Sequence, residues 1–160
     1  LVENDALFDA LETGVVKRYI TDFGTEELLN KPNVTVFPHV GGSTSEAELN
    51  CAIMAAQTIR RFMETGEIVN SVNFPRVQQV LSAPYRITLI NKNVPNIVAR
   101  ISTAVSDFNI NIDNIINRSK GEYAYTLLDL DETDKSKIDE LVAKFEASDN
   151  IVRVRLIKGK

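Results

Sequence analysis

The chain has one histidine, His39, in the stretch Phe37-Pro38-His39-Val40-Gly41-Gly42-Ser43-Thr44-Ser45-Glu46. Imidazole is the side chain that most readily gives and takes a proton near neutral pH. His39 follows an apolar run, Val34-Thr35-Val36-Phe37, of the kind that a parallel sheet buries on both faces. Pro38 and the Gly41-Gly42 pair shape the backbone around it without adding bulk. Asp22, Glu26 and Glu27 follow the preceding apolar segment, residues 15–21. In a parallel pair both strand ends face the same side, where sites of open α/β sheets form. A carboxylate against an imidazole favours the imidazolium, a proton donor. The plainer reading is a histidine making one structural hydrogen bond beside a solvated acidic loop. Spacing alone leaves both open.

The elements that position these residues follow from apolar spacing. Asn4 or Asp5 can cap a short helix carrying Ala6, Leu7, Ala10 and Leu11, with Gly14 at its stop. Residues 15–21 and 34–37 read as strands, and Asn30-Lys31-Pro32-Asn33 as a turn cluster. Helix, strand, loop, strand is part of a doubly wound parallel α/β sheet, not a whole one. Ser43 and Glu46 have the spacing of a capping box. The helix they open runs to about Thr65 on the stripe Ala47, Cys51, Met54, Ala55, Ile59, Phe62 and Met63, and stops at Gly66. Residues 71–84, with Pro75 and Pro84, have no period and read as an extended connection.

A second pattern starts at Tyr85. Residues 86–91 read as a strand, and Pro95 opens a helix with the stripe Ile97, Val98, Ile101, Val105 and Phe108. Residues 110–117 and 123–129 read as strands around a turn at 119–122. A helix marked by Ile138, Leu141, Val142 and Phe145 follows. Val152, Val154 and Leu156 then alternate with Arg153 and Arg155 in a last strand. The order βαββαβ is the α+β ferredoxin-like pattern. The chain thus divides into residues 1–42, 43–83 and 84–160.

Composition excludes several classes. With 160 residues, 44% hydrophobic and a net charge of -4, the chain builds a core and lacks the clustered cations that nucleic acid needs. Its single cysteine, Cys51, reads as a small buried hydrophobe and excludes an internal disulfide, which fits a reducing, cytoplasmic setting. No apolar run approaches a membrane span. The acidic stretch from Asp129 to Asp134 lacks the glycine and distal glutamate of a calcium loop, so it reads as solvated and no metal is expected.

The run Pro38-His39-Val40-Gly41-Gly42-Ser43-Thr44-Ser45-Glu46-Ala47, with Leu1-Val2-Glu3-Asn4-Asp5-Ala6-Leu7 and Asp22-Phe23 before it, resembles the D-2-hydroxyacid dehydrogenases. The likeness is to the end of their nucleotide-binding domain, above all in the phosphoglycerate dehydrogenase branch that opens serine biosynthesis. It implies an NAD cofactor and reversible hydride transfer from C2 of 3-phosphoglycerate, giving 3-phosphooxypyruvate. It places the proton donor and acceptor at His39 and its glutamate at Glu27, with Glu26 as substitute because Leu28 stands where a proline usually follows. Asp22, Gly41 and Gly42 fall near the cofactor, and the helix after Ser43 matches the return into the substrate domain. No G-x-G-x-x-G turn occurs, and the family's carboxylate-binding arginine has no counterpart. The resemblance is therefore to a C-terminal portion, expected by itself neither to hold NAD nor to turn over substrate.

Residues 84–160 resemble an ACT domain, a regulatory module that senses amino acids. Its ligand loop corresponds to Asn91-Lys92-Asn93-Val94-Pro95-Asn96, where Asn91 replaces a histidine and Asn96 a glycine. The resemblance places effector contacts on Asn91, Asn93 and Asn111, with L-serine as effector. It also implies a homo-oligomer paired through ACT sheet edges. Two other readings stand beside this one: a non-catalytic ligand-binding and dimerising module, and a dehydrogenase of another D-2-hydroxy acid.

Overall fold

A computed structural model describes residues 2–159 of the chain. The chain divides into two compact units, Leu1–Ala52 and Ile53–Lys160. In the first, helix α1 (Asn4–Glu12) buries Leu7 and starts after Glu3 without a side-chain cap, so neither Asn4 nor Asp5 caps it. Strands β1 (Tyr19–Thr21) and β2 (Val34–Val36) pair in parallel, with Tyr19 opposite Val34. The first strand is shorter than the apolar spacing suggests. Val16 donates its N–H to the Ala10 carbonyl, so the segment after α1 completes the helix exit instead of a ladder. Asn30 and Asn33 take positive φ of 66° and 63° in the turn cluster, a conformation asparagine tolerates well.

Helix α2 (Ser45–Thr65) is capped by Thr44, whose Oγ1 accepts the Ala47 N–H at 3.1 Å. The cap therefore sits one residue later than the Ser43–Glu46 pairing suggests. No residue of α2 is buried among the described residues. Leu49, Ile53, Met54, Ile59 and Met63 are exposed, and Cys51 is exposed rather than buried. The helical stripe exists, but most of it is exposed among the described residues.

The second unit carries a four-stranded antiparallel sheet in the order β4-β5-β3-β6. Its elements are β3 (Tyr85–Lys92), α3 (Ile97–Ser106), β4 (Asn111–Lys120), β5 (Tyr123–Asp131), α4 (Lys135–Glu146) and β6 (Ile151–Lys158). This βαββαβ order is the α+β ferredoxin-like fold that the sequence pattern describes. Ile87, Leu89, Leu128 and Leu130 of the central strands pack against Ile97, Ile101 and Val105 of α3 and against Ile138, Leu141 and Phe145 of α4. Each such side chain contributes about 1.5–3 kcal/mol by leaving water. A bulge between Ile112 and Asn114 lets β4 run unbroken to Lys120.

The other face of the sheet is covered as well. Ile68 and Val77 exchange backbone hydrogen bonds of 2.8 and 3.0 Å, and both pack on Tyr125 and Leu127. The connection that lacks a period is thus a folded strap, not an open linker. Gly66 starts it at φ +71°, where a Cβ would lie 2.5 Å from the Thr88 methyl. Only glycine suits both the turn and the close approach.

Candidate functional site

β1 and β2 end on the same side, and the loops leaving them carry Asp22 and His39. Phe37 donates its N–H to the Thr21 carbonyl at 3.0 Å, which holds the two strand ends together up to those loops. Thr21 Oγ1 accepts the Phe23 N–H at 3.0 Å and turns the first loop. His39 Nδ1 then stands 3.9 Å from Asp22 Oδ2, with the two side chains 56% and 38% exposed. That is ion-pair reach but too long for a hydrogen bond. Water screens so exposed a pair, and its attraction is worth at most about 1 kcal/mol. The Phe23 ring meets the imidazole edge to face, with centroids 4.6 Å apart, and walls off one side.

Gly41 and Gly42 follow on the next turn, each with open space where a Cβ would stand. Glu27 lies apart from this group: its Oε2 accepts from Asn4 Nδ2 at 2.6 Å. Glu26 is exposed on the same loop. The structure therefore brings His39 together with Asp22 and Phe23, and it does not bring Glu27 to them. Phe23 escapes a search for titratable groups, and only its position next to Asp22 could have flagged it. A half-exposed imidazole between a carboxylate and an aromatic edge can exchange a proton with a group arriving from solvent.

The asparagines of the second unit occupy three different settings. Asn91 is fully buried. Its Oδ1 accepts from Thr126 Oγ1 at 2.8 Å, Thr126 Oγ1 accepts from Asn117 Nδ2 at 2.7 Å, and Asn91 Nδ2 donates to the Lys92 carbonyl at 3.0 Å. Asn93 is exposed and ties the strand end to the β4–β5 turn, donating Nδ2 to the Gly121 carbonyl at 3.1 Å. Asn111 is exposed at the start of β4, opposite Asp131. Lys92 pairs with Tyr123, while Tyr85 pairs with Leu130. Asn93 and Asn111 of one chain therefore sit at opposite ends of the sheet, separated by about 25 Å of strand. Asn96 is the N-cap of α3 at φ 64°, so the asparagine keeps the left-handed backbone that a glycine would give. Pro95 precedes that cap instead of occupying the first turn.

One group that periodicity does not reveal is the pair Arg86–Asp129. Both are fully buried in adjacent strands. Arg86 Nε donates to Asp129 Oδ1 at 2.5 Å and Nη2 to Oδ2 at 2.7 Å, a fork on a carboxylate. The same guanidinium donates to the carbonyls of Thr65 at 2.8 Å and Gln79 at 2.9 Å.

The chain is 33% identical over 139 residues to D-3-phosphoglycerate dehydrogenase 2 of Saccharomyces cerevisiae, a match covering 83% of this chain and 29% of that protein. It is 26% identical over 133 residues to the D-3-phosphoglycerate dehydrogenase of Escherichia coli, covering 83% and 32%. Among solved structures, the ACT domain from GTP pyrophosphokinase of Chlorobium tepidum overlays 46% of this chain and 95% of that one, with a TM-score of 0.42 and 18% identity. No protein-family model matches the chain. By sequence the chain is similar to one portion of the D-3-phosphoglycerate dehydrogenases, and it spans 29% of the length of the yeast enzyme and 32% of that of the bacterial one.

Proposed function

We propose that this chain is part of an NAD-dependent D-3-phosphoglycerate dehydrogenase, a cytoplasmic homo-oligomer regulated by an amino acid. Residues 1–42 close its nucleotide-binding domain, residues 43–83 form the return helix and connection, and residues 84–160 are an ACT regulatory domain. The observation that carries the catalytic reading is His39 beside Asp22 at the ends of two parallel strands, in a chain whose relatives are named for this reaction.

Asp22 and the unobstructed Gly41-Gly42 turn suit the nicotinamide end of NAD, since both lie on the loops around His39 and leave room for a planar group. A glycine turn for the pyrophosphate is not among the 160 residues. NAD, when bound, supplies the hydride acceptor. Against that acceptor, His39 would take the proton of the 3-phosphoglycerate C2 hydroxyl as C2 is oxidised to the ketone. In the reverse direction His39 returns it. Asp22 faces the imidazole from the neighbouring strand end, and Phe23 packs edge-on against it. Glu27, the glutamate that the resemblance implies, bonds Asn4 and lies apart from His39, so Asp22 is the carboxylate of the proposed site.

In the regulatory domain L-serine is the proposed effector, with contacts from Asn93 and Asn111. Asn91 acts behind them by fixing the Lys92–Asn93 turn through its buried amide. The catalytic reading is tested in the intact enzyme. His39→Ala should lower kcat about 10²–10⁴-fold and leave NADH affinity within about twofold. Wild-type turnover in that variant would overturn the assignment.

A further inference from the structure

The last turn of a helix leaves its final carbonyls without intrahelical donors. In α2 the Gly66 N–H serves the Phe62 carbonyl at 2.9 Å, and the sheet adds side-chain donors to this and the following carbonyls. Arg155 of β6 donates Nη1 to the Phe62 carbonyl at 2.9 Å and Nη2 to the Met63 carbonyl, and its guanidinium lies 5.1 Å from the Phe62 ring centre. Arg86 of β3 donates to the Thr65 carbonyl at 2.8 Å. Tyr125 of β5 donates its hydroxyl to the Gly66 carbonyl at 2.7 Å. Three strands thus grip one helix end, two of them with cations placed where the helix dipole is negative. Glu67 extends the grip: its carboxylate accepts from Arg61 Nε at 2.5 Å and from the Gln79 N–H at 2.7 Å, which joins the helix to the strap.

We infer that the C-terminal half of α2 and the βαββαβ sheet open and close as one cooperative unit, with Arg86, Tyr125 and Arg155 as coupling residues. A change of state in the sheet then reaches the C-terminal half of α2. The regulatory meaning of that coupling rests on the effector reading above; the coupling itself does not.

Amide hydrogen exchange of the 160-residue chain tests it. Ile138 of α4 is fully buried on the sheet face away from α2, so Ile138→Ala loosens the sheet without touching the grip. Protection of β3 and β5 amides should fall at least about tenfold, and amides of residues 59–65 should fall by the same factor. Urea below the unfolding transition gives the same comparison if Ile138→Ala does not fold. In Arg155→Met, which alters an edge strand, the protection of residues 59–65 should fall on its own and stop following the sheet. Exchange of residues 59–65 that ignores Ile138→Ala or urea would overturn the proposal. In the intact enzyme, Arg155→Met should keep turnover and the heat of L-serine binding but lose inhibition by serine. Full inhibition in that variant would overturn the regulatory role. No serine heat in the wild type would instead count against the effector reading, and the exchange result would still decide the coupling.

Discussion

Arg86 places a charge where the sheet excludes water, and it is tolerated because every donor is used. Its fork on Asp129 neutralises the carboxylate, and its remaining N–H groups satisfy carbonyls of α2 and of the strap. Removing one partner of such a pair leaves an uncompensated buried charge, which costs about 3–5 kcal/mol. Arg86→Met should therefore lower the stability of the second unit by that amount, read as a shift of its urea midpoint. A change within about 0.5 kcal/mol, as for an ordinary surface site, would contradict this account. The residue was not legible in the sequence. In the run Tyr85-Arg86-Ile87-Thr88-Leu89 an arginine reads as the outward, polar half of an alternating strand. It is buried because the strap covers that outward face, which alternation cannot report. His39 was legible for the opposite reason: it is the only histidine and stands in a constrained turn. Its neighbour Phe23 was not, because contact between two loops depends on the register of β1 against β2.

Helix α4 shows how much an element owes to its start. Asp134 caps it by accepting the Ser136 N–H at 2.9 Å. Glu132 accepts the N–H groups of Asp134 at 2.9 Å and Thr133 at 2.8 Å, and Lys137 Nζ at 3.0 Å. These donors favour its ionised form, the Asp134 N–H foremost, then Lys137, then the Thr133 N–H, and hold its carboxyl at about 2 instead of 4.5. A carboxyl depressed by folding stabilises the native state fully above its unfolded value and loses that contribution as it protonates. Wild type should therefore exceed Glu132→Gln in thermal midpoint above pH 4.5, and the gap should close as pH falls towards 2. A gap that stays constant across that window would refute the assignment. The stretch Asp129–Asp134 reads as solvated in the sequence, but Asp129 is buried in β5 against Arg86 and Asp134 caps α4, whereas α3 and α4 follow their apolar stripes. Helix α2 keeps its stripe too, but its periodicity says nothing about what covers it. β3 and β5 are buried along nearly their whole length, so period-two alternation underestimates how much of each faces a core.

At the scale of the whole molecule, the order of elements was legible because turns and periods are local, whereas the placing of Asn93 and Asn111 at opposite ends of the sheet is not. Sheet order β4-β5-β3-β6 leaves β4 as an edge ten residues long, with backbone groups free to pair with another strand. An isologous pair made by two antiparallel β4 edges would set Asn111 of one copy against the Lys120–Gly121 end of the other. That end is where Asn93 bonds the Gly121 carbonyl. If L-serine is the effector proposed above, such a dimer would hold two sites, each taking Asn93 from one copy and Asn111 from the other. Asn93→Ala and Asn111→Ala should each abolish serine binding, measured as calorimetric heat. When the two variants are mixed and allowed to exchange subunits, each heterodimer regains one site made from both unaltered asparagines. With random exchange of equal amounts, about a quarter of the wild-type sites should return. A site built within one chain would regain nothing on mixing, since each chain lacks one of the two asparagines. The result therefore separates a shared site from an internal one, and a mixture without heat would remove the shared-site reading and the edge pairing it needs.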